Sequence, residues 1–384
     1  MFAGLTIAQP VRYTVIDLGT LGGTYSFAYG VNNAGWVSGG AATPTQTDGV
    51  SQTAFLWSKQ TGLHNLGTLG GPSSLANGLN ASREAAIDSE TSMMDPLNED
   101  FCGFGTHRQC LGAIWKNEAM TALPTLKGGH NAQAYWVNNH GEVVGFSENG
   151  TLDSTCSTPS QKLRFKPVIW GRDSEILELP LLKGDTVGFA WGINDNGQVV
   201  GSSGLCSNIS LPPVNPVGQH AVLWDKDGSP TDLGNLGFPN GSNIATSVNN
   251  RGEVVGTSPS STDGNIHAFL WTKHTGMQDL GTFPGAVVTV APCCHTINNS
   301  REVVGWSIDG ITGNQRALVW QDRVLLDLNT LIPAGSGWYL QSTSSINDAG
   351  EIVGWGSING NIHAFLAVPC NSDQADSDEC KDDR

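Results

Sequence analysis

The chain has 384 residues, including 49 glycines, 12 tryptophans and 8 cysteines, and its 35 acidic against 19 basic residues give a formal net charge of -16. Charged residues make up only 14% of the chain and hydrophobic residues 39%, which argues against intrinsic disorder. The acidic balance disfavours non-specific binding to nucleic acid, whose phosphates need a basic surface. No stretch of about 18 apolar residues is present, so the sequence predicts no membrane span.

The first residues of the chain resemble the end of a secretory signal peptide. Residues 1–10 are mostly apolar, and Thr6-Ile7-Ala8 has the pattern of a signal-peptidase cleavage site. We therefore interpret residues 1–12 as the remnant of a leader. An even number of cysteines in a chain of low charge is typical of an oxidising compartment, which favours an exported protein, extracellular or displayed on the cell surface.

The next feature in chain order is a unit that recurs seven times. Each copy contains two β-branched runs separated by a turn of the form Asn-x-x-Gly, with Arg83 and Arg301 replacing the glycine in two copies. Asn and Gly tolerate the positive φ angles that tight hairpins require, so each copy predicts a β-hairpin. The turn asparagines are Asn32, Asn80, Asn138, Asn194, Asn249, Asn298 and Asn347.

Two more strands belong to each unit. One is an apolar strand that ends in tryptophan in six units, and the other carries a leucine before a turn that contains Gly or Pro. Four short strands in units of about 50 residues are the signature of β-propeller blades. The recurring tryptophans are predicted to pack between blades, and they are Trp57, Trp115, Trp170, Trp224, Trp271 and Trp320.

The order of the strands at the two ends predicts how the ring closes. The first leucine strand, at 13–19, precedes the first turn asparagine, whereas the last unit stops after its third strand. The N-terminal strand can therefore complete the last blade, which removes exposed sheet edges. We predict an all-β fold, a single seven-bladed β-propeller of four-stranded antiparallel blades over residues 13–369, closed by the N-terminal strand and followed by an acidic tail at 370–384.

At these repeats the chain resembles the HAF-type extracellular repeat family. The motif that names the family is present as His267-Ala268-Phe269 and His363-Ala364-Phe365, each followed by a leucine. The resemblance covers about residues 13–368 and implies a secreted or surface-displayed repeat protein of generally uncharacterised function. Four units replace the histidine, which argues against a chemical role for it, and the replacements are Thr53, Gly112, Lys166 and Arg316.

The loops give the predicted ring two unlike faces. The Asn-x-x-Gly turns and the turns after the tryptophan strands are short and share one face. The connections between second and third strands share the other face and are long in three units, over about residues 88–110, 146–163 and 202–219. Long variable loops on a rigid scaffold are the usual place for binding sites, so we predict that this second face is the functional one.

The cysteines favour disulfide bonds over a metal site. Three bridges are predicted, two in the long loops and one in the tail: Cys102–Cys110, Cys156–Cys206 and Cys370–Cys380. A zinc site at Cys102, His107 and Cys110 is the alternative for the first loop, but zinc normally takes four ligands and no Cys-x-x-Cys pair is present. The adjacent Cys293 and Cys294 are left open between a vicinal disulfide and two thiols.

Aromatic side chains are the candidates for ligand binding, because their flat faces can stack on sugar rings. Tyr25, Trp338 and Tyr339 lie in connections on the predicted functional face. A second set stands three residues before each turn asparagine, and it varies from unit to unit as a channel lining would: Tyr29, Asn77, Tyr135, Trp191, Thr246, His295 and Ser344. Tyr135, Trp191 and His295 join the candidates from this set, although strand direction could equally bury the set between blades.

No motif of a known catalytic site is present. We predict a monomeric, non-enzymatic binding or interaction module for an extracellular glycan or protein, with no cofactor and no metal. A polysaccharide hydrolase or lyase is the alternative, with Asp88 or Glu90 paired with Glu148 or Asp153, although acids in loops are expected to be solvated. A purely structural extracellular repeat protein is the third possibility. The acids that follow the turns are expected at surface positions on the opposite face, and they are Glu84, Glu142, Glu253, Glu302 and Glu351.

Overall fold

The computed structural model describes residues 10–156, 161–208, 219–238, 241–292, 295–370 and 380. Within these residues the regular secondary structure consists of 28 β-strands and two single-turn 3-10 helices, so the fold is all-β as predicted. No helix in this part of the chain is long and apolar enough to cross a membrane.

The strands are short, in keeping with the turn residues that interrupt the sequence every few positions. The strands of the first half are β1 (Tyr13–Asp17), β2 (Ser26–Val31), β3 (Val37–Ala41), β4 (Thr53–Ser58), β5 (Gly62–Gly67), β6 (Gly70–Leu79), β7 (Ala85–Met94), β8 (Arg108–Lys116), β9 (Ala119–Ala122), β10 (Ala132–Val137), β11 (Val143–Leu152), β12 (Leu163–Trp170), β13 (Ile176–Glu178) and β14 (Val187–Ile193). Those of the second half are β15 (Val199–Gly204), β16 (His220–Trp224), β17 (Pro230–Asp232), β18 (Ile244–Val248), β19 (Val254–Pro259), β20 (Ile266–Thr272), β21 (Gly276–Asp279), β22 (Ala286–Val290), β23 (Val303–Asp309), β24 (Gln315–Gln321), β25 (Val324–Asp327), β26 (Trp338–Ile346), β27 (Ile352–Ile358) and β28 (Asn361–Pro369). The 3-10 helices span Cys206–Asn208 and Leu328–Thr330.

Consecutive strands pair in antiparallel sets of four. Five separate sheets consist of β2–β5, β6–β9, β10–β13, β14–β17, and β26–β28 together with β1. The strands β18–β25 form two further sets, which a parallel bridge between Ile266 and Val288 joins into one eight-stranded sheet. Strand β1 pairs with β28 from Tyr13 opposite Pro369 to Asp17 opposite Phe365, so the first strand of the chain lies in the same sheet as the last three.

Each turn asparagine is buried and uses both ends of its amide. The Oδ1 atom accepts from the backbone N–H groups two and four residues later, as from His140 and Glu142 to Asn138, both at 3.0 Å. The Nδ2 atom donates to the backbone carbonyl of the next turn asparagine, as from Asn138 to Asn194 at 3.2 Å. These bonds run in a closed cycle from Asn32 through Asn80, Asn138, Asn194, Asn249, Asn298 and Asn347 back to Asn32. The repeated asparagine therefore joins neighbouring sheets as well as shaping its own turn.

The acids that follow the turns are part of this network, and of the five expected at surface positions four are half-buried and Glu253 is buried. In six units the Nδ2 atom also donates to the side chain four residues later, at 2.5–2.9 Å. The acceptors are half-buried or buried, and they are Glu84, Glu142, Gln198, Glu253, Glu302 and Glu351. The acid at this position thus completes the hydrogen bonding of a buried amide, as buried polar groups require.

Two turns place arginine where the others have glycine. The backbone there is left-handed, with φ of 64° at Arg83 and 67° at Arg301, a conformation that glycine adopts without strain. Each arginine has a compensating contact. The guanidinium of Arg83 lies 5.1 Å from the ring centre of Trp36, and that of Arg301 pairs with Glu253.

The recurring tryptophans lie between sheets, as the sequence predicts. Trp170, Trp224 and Trp320 are at most 3% exposed. Each indole Nε1 donates to a backbone carbonyl about 40–46 residues earlier in the chain, at 2.7–2.9 Å. An apolar ring with one satisfied polar atom is well suited to this buried position.

The histidine of the HAF motif contacts a carboxylate within its own sheet. His267 Nδ1 lies 2.7 Å from Asp279 of the neighbouring strand, and His363 Nδ1 lies 2.9 Å from Asp17. Arg316 takes the same place in its unit, 3.4 Å from Asp327. A basic side chain at the start of the third strand is therefore paired with an acid on the fourth, a structural arrangement rather than a catalytic one.

The three predicted disulfide bonds are confirmed as Cys102–Cys110, Cys156–Cys206 and Cys370–Cys380. Because both sulfurs of the first loop are bonded to each other, the alternative of a zinc site at Cys102, His107 and Cys110 is wrong. Disulfide bonds are typical of oxidising, extracellular surroundings. Cys293 and Cys294, residues 1–9 of the predicted leader, and all of the tail after Cys370 except Cys380 lie outside the described residues.

Candidate functional site

A cavity of about 450 Å³ lies among the first strands of six successive strand sets. Most of its surface is apolar, and a few polar side chains converge on it, the usual character of a small-molecule site. It is lined by Tyr29, Val50, Gln52, Leu75, Asn77, Asp88, Cys102, Gly103, Phe104, Gln133, Tyr135, Trp191, Ser242, Ile244, Thr246, Thr257, Ile266, Val288, Val290, Ala291, Pro292, Trp306 and Ile308.

A repeated irregularity of the first strands positions much of this lining. In six sets the register with the second strand shifts at the residue three positions before the turn asparagine, as between Ala134 and Trp136. A β-bulge of this kind leaves one residue unpaired and changes the direction of its side chain. Five members of the variable set predicted from sequence line the cavity, and they are Tyr29, Asn77, Tyr135, Trp191 and Thr246.

Asp88 is the charged group of the cavity. Its two oxygens accept hydrogen bonds from Asn77 Nδ2 at 2.8 Å and from the backbone N–H of Ala134 at 2.7 Å. Burial raises the pKa of Asp88 from 3.8 to about 7, against the effect of these two hydrogen bonds. A carboxyl group with a strongly raised pKa in a cavity is a candidate functional group.

Aromatic rings form one wall of the cavity. Tyr135 and Trp191 contact each other edge to face, with ring centres 4.1 Å apart. The hydroxyl of Tyr135 donates to Gln133 Oε1 at 2.6 Å, whereas Trp191 Nε1 is buried without a hydrogen-bond partner among the described residues. An unpaired buried donor beside a cavity is available to a ligand.

His295 lines a second, smaller cavity of about 90 Å³, which lies next to the asparagine turns. Its ring stacks on Trp136 with ring centres 4.9 Å apart and an angle of 7° between planes. Its Nδ1 lies 3.0 Å from the carbonyl of Ile346, and burial lowers its pKa. His295 is therefore a packing partner of Trp136 and does not line the large cavity.

Trp136 is not among the site residues predicted from the sequence, although its place in the repeat is unusual. It stands two residues before a turn asparagine, where the other units have small residues: Gly30, Gly78, Gly192, Ser247, Thr296 and Ser345. A single large ring among small ones at a repeated inner position indicates a side chain that fills space. Trp136 and His295 both line the small cavity.

Besides His295, three predicted binding residues do not line the large cavity. Tyr25 donates its hydroxyl to the carbonyl of Ser51 at 2.5 Å. Trp338 packs edge to face against Phe365, with ring centres 6.0 Å apart. Tyr339 is exposed at 39%. The structure therefore brings Tyr135 and Trp191 together and leaves these three apart from them.

The acids of the long loops are buried, so the expectation that they are solvated is wrong. Glu148 is fully buried and accepts from the backbone N–H groups of His130 and Asn131, at 3.2 Å and 3.0 Å, and from Gln161 Nε2 at 3.1 Å. Burial and the neighbouring Glu99 raise the pKa of Glu148 to about 9. Glu99 is also fully buried, and its Oε1 accepts from the backbone N–H groups of Lys162 and Leu163.

The other two acids are also held by specific partners. Glu90 accepts from the hydroxyl of Thr106, and burial raises its pKa. Asp153 accepts from Thr155 and Arg164, and these hydrogen bonds lower its pKa to about 2. Of the four acids considered for catalysis, Asp88 is the one that lines the cavity among the described residues.

Removing the Cys102–Cys110 bridge is expected to loosen one wall of the cavity. Cys102, Gly103 and Phe104 line it, and the bridge closes the short loop that holds them. Replacing both cysteines by serine is expected to lower the free energy of unfolding by about 2 kcal/mol and to accelerate amide hydrogen exchange across the loop. The Cys370→Ser, Cys380→Ser double variant is the control, because its bridge lies outside the cavity lining. Equal exchange in the two variants would contradict the role of the bridge as a wall of the site.

No protein-family model and no curated protein matches the chain. Among solved structures, streptogramin B lyase is similar over 93% of this chain and 98% of its own, with a TM-score of 0.51 and 11% identity. The β-propeller domain of the trilobed protease from Pyrococcus furiosus is similar over 89% of this chain and 95% of its own, with a TM-score of 0.51 and 9% identity. Puromycin hydrolase is similar over 91% of this chain but 52% of its own, with a TM-score of 0.55 and 13% identity. At these identities the likeness shows the fold alone, and the chain is a β-propeller of four-stranded antiparallel sheets.

Proposed function

We propose that the protein is an exported, closed seven-bladed β-propeller of the HAF-type repeat kind, and that it is a binding module which takes its ligand in the 450 Å³ cavity. The cycle of seven asparagine hydrogen bonds and the pairing of β1 with β28 support the closed ring. The three disulfide bonds support export.

The observation that carries the proposal is an aromatic wall facing a few convergent polar groups. Small-molecule sites occupy about 300–1,000 Å³ and combine an apolar lining with few well-placed polar atoms. Tyr135 and Trp191 supply the flat apolar faces, and Asn77, Asp88 and Gln133 supply the polar atoms. A space of this size suits a small molecule or the end of a glycan better than the surface of a folded protein.

The alternative of a polysaccharide hydrolase needs a second acid on the opposite side of the bound sugar. Asp88 is the one carboxylate among the described residues of the lining. Glu148 is fully buried against Glu99 and is hydrogen-bonded to protein groups, so no substrate reaches it. Streptogramin B lyase and puromycin hydrolase are only 11% and 13% identical to this chain, so their activities do not transfer to it.

Ligand binding without turnover is the expected result. Trp191 and Trp306 line the cavity, so a titration of intrinsic fluorescence against a panel of oligosaccharides and small amphiphilic molecules reports binding. Val50 lies at the cavity and is exposed, so Val50→Trp is expected to narrow the entrance and weaken binding at least about tenfold without loss of fold.

Val324→Trp is the matched control, because Val324 is similarly exposed, at 53% against 47% for Val50, but lies outside the lining. The affinity of this variant should equal that of the wild type. Equal affinities of the Val50→Trp and Val324→Trp variants would show that the ligand binds outside the 450 Å³ cavity. Release of a reaction product from any bound ligand would contradict the binding module and favour the enzyme.

A further inference from the structure

The lining of the cavity contains one acidic side chain and, among its described residues, no basic one. Asp88 is 5% exposed, and no lysine, arginine or histidine is present among the described residues of the lining. Each oxygen of the carboxylate accepts one hydrogen bond, from Asn77 or from Ala134. A carboxylate oxygen can accept about two, so each keeps a free lone pair. An ionised carboxylate held in an apolar cavity without a counter-charge is unfavourable.

Aromatic rings surround the same space. Tyr29, Tyr135, Trp191 and Trp306 all line the cavity. The face of such a ring carries negative charge density and attracts ammonium groups, more strongly where water is excluded. The hydroxyl of Tyr135 donates its hydrogen bond to Gln133 Oε1 and therefore does not donate to Asp88.

We propose that the cavity binds a compact organic cation, an ammonium group on a largely apolar body, with the ammonium paired to Asp88 beside the aromatic wall. This inference rests on the proposed function, because it names the ligand class of the same cavity. Ile244, Val290 and Ile308 offer apolar surface to the body of the ligand. The net charge of -16 favours the approach of a cation over that of an anion.

The affinity for the cation rises with pH. Burial raises the pKa of Asp88 to about 7, and a bound cation favours the ionised carboxylate, so the group loses its proton on binding at lower pH. Tyr135 interacts electrostatically with Asp88 and with Tyr29, and all three line the cavity. Burial raises the pKa of both tyrosines, so both stay uncharged below pH 8. Glu90, on the same strand, is held by Thr106.

Phenethylammonium and 2-phenylethanol form the pair of probes that tests this inference. They have the same shape, but only the first is charged. At pH 8 the wild-type protein is expected to bind the ammonium at least about tenfold more tightly than the alcohol. This preference should shrink at pH 5, at which Asp88 is protonated and the ammonium is still charged.

Asp88→Asn is expected to remove the preference for the ammonium over the alcohol. Asp322→Asn is the control, since it makes the same change of net charge in an exposed turn. If Asp88→Asn does not fold, the inference is tested by the wild-type protein alone, through the change in its preference for the ammonium between pH 8 and pH 5. Equal affinities for both probes at pH 8 would overturn the cation inference and leave the binding cavity standing. Failure of both probes would overturn the inference too, and the Val50→Trp comparison would then decide the proposed function.

Discussion

Replacing Asn138 by aspartate is expected to destabilise the protein by about 3–5 kcal/mol at pH 7, the cost of an uncompensated buried charge. The Oδ1 atom would keep its hydrogen bonds from the backbone N–H groups of His140 and Glu142. The new oxygen would replace Nδ2, which donates to the carbonyl of Asn194 and to Glu142 Oε2 at 2.7 Å. Two acceptors would then face a carboxylate, one of them carrying the same charge.

Asn194→Asp is the matched variant, because its partner at the same position is the neutral Gln198, at 2.9 Å. The amide of Gln198 can rotate and donate, so only the carbonyl of Asn249 stays opposed to the new charge. A smaller loss, of about 1–3 kcal/mol, is therefore expected. Denaturant unfolding at pH 7 and pH 5 measures both variants.

Acid should restore more stability to Asn138→Asp than to Asn194→Asp. Protonation lets the new carboxyl group donate to the next carbonyl in both variants, but only in Asn138→Asp does it also remove a charge that faces Glu142. Equal losses in the two variants at both pH values would contradict the role of the asparagine–glutamate pairs.

The repeating features of the fold were predictable because each recurs in five or more of the seven units of one sequence. Turn glycines at positive φ and one buried tryptophan per unit follow from local chemistry. The hydrogen bond from each asparagine to the next was not predictable, because the two partners are separated by 48–58 residues in the chain. The bond that closes the cycle, from Asn347 to Asn32, joins residues that are farther still from each other in sequence. A pattern within one unit contains no information about which groups of the next unit it meets.

The sequence predicts which positions of the chain line the candidate site, but not the directions in which their side chains point. The variable residue before each turn was identified from sequence, whereas the bulge that turns Tyr135 and Trp191 to the cavity depends on the pairing of the first two strands. The acids were misplaced for a related reason. Strands β7 and β11 extend to Met94 and Leu152, so Glu90 and Glu148 lie within strands rather than in solvated loops.

Glu99→Gln is expected to reduce the loss of stability that the raised pKa of Glu148 predicts between acid and alkaline pH. Glu99 Oε2 has no hydrogen-bond partner apart from the interaction with Glu148. Burial and this neighbour raise the pKa of Glu148 from about 4.5 to about 9. A glutamine would keep the Oε1 hydrogen bonds from Lys162 and Leu163 and would offer Nε2 to the carboxylate of Glu148.

The sign of the effect follows from linkage. A carboxyl group whose pKa is raised on folding binds its proton more tightly in the folded state, so its contribution is complete below about pH 4.5 and is lost as pH rises towards about 9. Each unit of pKa difference corresponds to about 1.4 kcal/mol, so the wild type should lose several kcal/mol across this range.

Denaturant unfolding at pH 5, 7 and 9 tests the effect, with Glu118→Gln as the control because Glu118 is exposed. We expect Glu99→Gln to be more stable than the wild type at pH 9 and close to it at pH 5, and the control to follow the wild type throughout. A wild type whose stability does not fall from pH 5 to pH 9, or a Glu99→Gln variant that falls in parallel with it, would show that Glu99 does not raise the pKa of Glu148. Glu99 and Glu148 join β11 to the loop that carries Cys102, so ionisation of Glu148 at alkaline pH is expected to loosen this wall of the cavity. Hydrogen exchange of that loop should then rise with pH more in the wild type than in Glu99→Gln.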